Sequence, residues 1–131
     1  MGIRTPLAQV KGLGSAKHGT GHWWAQRVTS VALIPLSLWF VYFVICVAAT
    51  GGDKFLLSLS SPFSALMMIL FLGTSLYHGA LGMQVVIEDY VHNEKAKIFL
   101  LLLVQYGSLI TSAAVTLAIV TFHVNHVAIG G

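Results

Sequence analysis

His78 lies deep within a long apolar segment, and the stretch from Ser75 to Val91 then runs out into Glu88, Asp89 and Tyr90. An ionisable side chain in such a run is costly and marks a candidate functional site. An imidazole there can hydrogen-bond a neighbouring helix, relay a proton, or ligate a metal; it is the commonest protein ligand of haem iron. Gly82 follows His78 by four residues and so lies one turn on, on the same helix face. Its missing side chain would admit a flat macrocycle or a neighbouring backbone. Asp89, eleven positions after His78, returns to nearly that face about 16 Å further along the axis. One face would thus carry an imidazole in the apolar interior and a carboxylate at the water boundary.

The elements that hold these residues are membrane spans. The chain has 131 residues, 56% of them hydrophobic and only 8% charged, against about 25% charged in a soluble domain. That composition predicts an all-α integral membrane protein and leaves no room for a nucleotide-binding fold. Spans are expected over about 28–49, 63–87 and 98–122, each long enough to cross roughly 30 Å of hydrocarbon. Pro35 falls inside the first span, where a kink is tolerated if neighbours satisfy the freed carbonyl. Thr50-Gly51-Gly52-Asp53-Lys54 is a turn signal, residues 55–59 are amphipathic enough to lie along the surface, and Pro62 suits a helix start.

Residues 1–26 are polar and glycine-punctuated and are expected to form an extended cytoplasmic arm. No apolar core opens the chain behind an early basic region, so no cleaved signal peptide is expected. His22-Trp23-Trp24 has the character of an interfacial anchor, and Arg27 that of a snorkelling positive-inside residue. His18 and His22 precede the membrane without a paired ligand, and His123 and His126 lie in the tail, so none makes a strong metal site. The single cysteine, Cys46, can form no internal disulfide and hold no iron–sulfur cluster. Of the seven basic residues, Arg4, Lys11, Lys17, Arg27, Lys95 and Lys97 flank one side of the spans and Lys54 alone the other. This asymmetry puts the amino terminus and the second loop in the cytoplasm and the carboxyl terminus outside. The net charge of +3 therefore reports topology rather than nucleic-acid binding.

His78-x-x-x-Gly82-Met83-x-x-x-x-x-Asp89-Tyr90, with His22-Trp23-Trp24-Ala25-Gln26-Arg27-x-Thr29 upstream, resembles the small hydrophobic membrane-anchor subunit of succinate dehydrogenase, respiratory complex II. The resemblance runs from about Gly14 to the third apolar segment, and its specific element is the His-to-Asp-Tyr spacing. It implies that His78 is an axial ligand of haem b, shared with a second cytochrome b membrane subunit, and that Tyr90 contacts ubiquinone. Asp89 and Arg27 would tune the quinone site or, for Arg27, pair with a haem propionate. It further implies a flavoprotein subunit and an iron–sulfur subunit as partners, which carry succinate oxidation, and a place in the bacterial inner membrane rather than the mitochondrial one. Two alternatives stay open: a three-span scaffold in which His78 only hydrogen-bonds across helices, and the anchor of a fumarate reductase-type complex.

Overall fold

The computed structural model describes residues 19–52 and 54–130, so expectations resting on Arg4, Lys11, Lys17, His18 and Asp53 lie outside the described residues. The chain folds as four helices with no strand among the described residues: α1 (Gly19–Ala49), α2 (Phe55–Leu59), α3 (Pro62–Tyr90) and α4 (Glu94–Gly130). Three of them, α1, α3 and α4, are long and apolar enough to cross a membrane, as the composition requires. Helices are forced on such a chain because hydrocarbon offers no partner to a free N–H or C=O.

Local chemistry sets the boundaries. Gly51 and Gly52 both adopt positive φ, at 74° and 82°, and turn the chain out of α1 where a residue with a Cβ would be strained. Pro62 occupies the first turn of α3 behind Ser61, where its missing N–H costs nothing. Val91 is extended and ends α3. Asn93 then caps α4, its Oδ1 accepting the backbone N–H groups of Lys95 and Ala96 at 3.1 and 3.3 Å.

Two boundaries differ from the expected ones. Residues 19–26, placed in the extended arm by their polarity, form the first turns of α1. A helix of thirty residues is about 45 Å long and spans the headgroup layers as well as the hydrocarbon, so helix continues where the apolar pattern stops. For the same reason α4 runs on past Phe122 and carries His123 and His126 on helix rather than on a tail. Pro35 consequently stands mid-helix, and α1 continues through it.

The packing divides into two halves. Helix α3 is central, with α1 on one side and α4 on the other. At the end where α2 lies, Phe43, Leu59, Ala65, Met68 and Ile119 form a buried cluster ringed by Trp39, Phe40, Leu72 and Val115. Phe40 stacks on Phe71 at 4.4 Å between centroids, and Trp39 on Phe43 at 5.4 Å. Gly73 faces α4, where a Cβ would make ordinary contact with Ser112 Oγ at 3.7 Å. The other half of the α1–α3 contact is polar.

Candidate functional site

Helix α1 presents His22, Gln26 and Thr29 at i, i+4 and i+7, one face of the helix. This face meets α3 along His78, Gly82 and Gln84. His78, half-buried, places Nδ1 2.8 Å from Thr29 Oγ1. The same hydroxyl lies 2.7 Å from the carbonyl of Ala25 and 3.1 Å from that of Gln26. A hydroxyl has one proton and two lone pairs. Donated to His78, that proton would leave bare oxygens facing each other at 2.7 Å. The satisfied arrangement is a chain in which His78 Nδ1–H donates to Thr29 Oγ1 and Thr29 Oγ1–H donates to the Ala25 carbonyl. For a neutral imidazole the network thereby selects the Nδ1–H tautomer, in which the Nε2 lone pair is available.

One turn along, Gly82 packs beside Gln26, whose Nε2 would be in ordinary van der Waals contact, at 3.7 Å, with a Cβ at that position. Gln26 Oε1 is buried without a hydrogen-bond partner, so the seam holds an acceptor still open to a donor. Nearer the boundary His22 Nε2 lies 3.2 Å from Gln84 Oε1, and Gln84 Nε2 donates to Glu88 Oε1 at 2.8 Å. Lys97 of α4 donates to the Glu88 carbonyl at 2.9 Å, satisfying a carbonyl at the end of α3 with a cation.

The remaining sequence-predicted residues stand apart from this seam. Arg27 is exposed, its guanidinium 4.3 Å from the Trp23 ring centroid, a cation–π pair one helical turn apart. Asp89 is exposed, and Tyr90, the last residue of α3, is 78% exposed. They lie at the end of the bundle where α1 begins and α3 ends, but no ion pair or hydrogen bond joins Arg27, Asp89 and Tyr90 among the described residues. His123 and His126 gather no third ligand, and no cluster of three metal-binding side chains exists among the described residues. Sequence reasoning read His22 as part of an interfacial anchor, quoted Gln26 and Thr29 only within the motif, and gave Gln84 no role. The signal available was the i, i+4, i+7 spacing of three polar residues opening an apolar helix.

Comparison with known proteins agrees with this architecture. Residues 1–115 match the family described as succinate dehydrogenase/fumarate reductase transmembrane subunit. The chain is 36% identical over 117 residues to the succinate dehydrogenase hydrophobic membrane anchor subunit of Rickettsia bellii, covering 89% of this chain and 94% of that one. It is 37% identical to the Rickettsia felis protein of the same name, over 83% of this chain and 88% of that one. It is 33% identical to the one from Paracoccus denitrificans, over 85% and 86%. No solved structure matches the chain. With three apolar helices of spanning length and a match over most of its length, the chain belongs to the family of hydrophobic membrane-anchor subunits of succinate dehydrogenase and fumarate reductase.

Proposed function

We propose that this anchor helps hold a haem b and a ubiquinone in a succinate:ubiquinone oxidoreductase, between an iron–sulfur subunit and the quinone pool of a bacterial cytoplasmic membrane. The observation that carries the haem reading is the His78–Thr29 contact at 2.8 Å. A metal-ligating histidine characteristically donates its other ring N–H to an oxygen acceptor, and here Nδ1 is so engaged. The residues present fit the group: an imidazole within a membrane-length helix, its Nδ1 engaged by Thr29 so that Nε2 can serve iron, and a glycine one turn away. A second axial histidine would come from the partner cytochrome b subunit. Haem b, when bound, would supply a one-electron centre suited to passing electrons toward quinone. The residues of this chain hold and orient it; succinate, flavin and iron–sulfur chemistry belongs to the soluble partners.

Tyr90 is proposed as a hydrogen-bond donor to a quinone carbonyl oxygen, where it stabilises the negative charge that develops on reduction. Asp89 and Arg27 stand within the same boundary layer and bias its charge and proton supply. In the scaffold reading the same bond only ties two helices together. A reduced-minus-oxidised optical spectrum of the purified complex separates the two. A b-type signal is expected, and its absence overturns the haem reading.

The six-to-one basic asymmetry gives the orientation. In a Cys46→Ser background, Lys54→Cys is expected to react with an impermeant thiol reagent added from the periplasmic side, and Glu94→Cys only from the cytoplasmic side. Both substituted positions are exposed, so reversed labelling would invert the topology and remove the quinone site from the iron–sulfur side.

A further inference from the structure

We infer that Thr29 is a positioning residue for His78, and that its hydroxyl sets the tautomer, the rotation and the donor strength of the imidazole. The inference rests on the reading of His78 as a haem ligand. The rotamer of Thr29 is held from within its own helix, because its hydroxyl back-bonds to the Ala25 carbonyl at 2.7 Å. With the proton spent there, a lone pair of Oγ1 points across to α3, where His78 Nδ1 lies 2.8 Å away. The acceptor is therefore in place before His78 arrives and costs no further ordering. Of the two ring orientations related by a flip, only the one that brings Nδ1 to Thr29 satisfies both groups, so Nε2 is aimed away from α1.

The contact also has an electronic consequence. A hydroxyl that donates to a carbonyl is a better acceptor than a free one, since successive hydrogen bonds polarise each other. The hydrogen bond that Thr29 Oγ1 accepts from Nδ1–H makes Nε2 a stronger donor and would favour ferric over ferrous iron. Thr29 is neutral, so the effect is smaller than a carboxylate would give.

The test uses the whole complex and reads spectra and potentials rather than turnover. Thr29→Val keeps the shape and removes the acceptor. The ferric-to-ferrous ratio at fixed ambient potential is expected to fall two- to tenfold, an upward shift of about 20–60 mV at 59 mV per decade for one electron. The low-spin electron paramagnetic resonance signal should broaden or shift in its largest g value as the ring is released. Thr29→Ser restores the hydroxyl and is expected to restore both readings, which a purely steric role of the methyl group would not do. A His78-dependent b-type signal with wild-type potential and g values in Thr29→Val overturns the inference while leaving the haem reading intact. Absence of any His78-dependent signal in the wild-type complex overturns the haem reading itself. If Val does not assemble, Thr29→Ala is read in the same way. Failure of both to assemble overturns the inference too, because a hydroxyl that only aims a ligand is dispensable to the fold.

Discussion

Replacing His78 by leucine is expected to abolish the low-spin bis-histidine signal of the complex, or to convert it to a high-spin form, without dispersing the subunits. The size of the effect follows from the proposed role of His78: as a haem ligand it would be lost outright, because leucine offers no lone pair in its place. Survival of the assembly follows from the hydrogen bonds around Thr29. Its one proton already goes to the Ala25 carbonyl at 2.7 Å, so loss of the imidazole leaves no donor stranded. The interhelical bond removed is worth about 1 kcal/mol, while the aromatic cluster around Phe43 and Met68 stands at the opposite end of the bundle. Reduction of artificial dyes by the soluble subunits is the control and should be unchanged. A spectrum identical to wild type would make His78 a helix-pairing residue and return the chain to a scaffold.

The parts of this architecture that were legible in the sequence are those governed by the bilayer. Hydrocarbon demands runs of about twenty apolar residues in helical form, and such runs are visible without any knowledge of neighbours. Pro62 at a helix start and the Gly51-Gly52 turn were legible for a similar reason, because each expresses a backbone restriction of its own residue type. Helix ends at the headgroup layer were not. Hydropathy changes there while helix continues, which is why His22, Trp23 and Trp24 belong to α1.

The partner of His78 was hidden for a different reason. Counting along one helix brings Asp89 back to its face, but the polar contacts of the seam run between helices, to Thr29 for His78 and to His22 for Gln84. Register between α1 and α3 is a property of the pair, and no spacing within either helix encodes it. The spacing of His22, Gln26 and Thr29 marks a polar face; only the fold shows what that face meets.

Tyr90→Phe is expected to lower quinone reduction by about one to two decades while leaving the haem spectrum and dye reduction intact. Tyr90 closes α3, and Val91 leaves the helix immediately after it, so its ring projects from the last turn with 78% of its surface exposed. Among the described residues nothing takes its hydroxyl as a hydrogen-bond partner, and its backbone carbonyl lies 3.1 Å from His92 Nδ1. A phenol exposed at the membrane boundary has a donor free for a ligand or for water. Phenylalanine keeps the ring and its interfacial preference and deletes that donor alone. A donor to an oxygen that gains negative charge contributes on the order of 1–3 kcal/mol, and this loss appears as the stated fall in turnover if the bond strengthens on reduction. The controls discriminate because a loosened anchor would impair haem, dye and quinone readings together. The Lys97–Glu88 contact that ties α4 to the end of α3 uses a backbone carbonyl, so the substitution does not disturb it. Normal reduction at limiting quinone, in a fully assembled Tyr90→Phe complex, would make Tyr90 a residue of the aromatic belt and move the quinone donor elsewhere along this boundary.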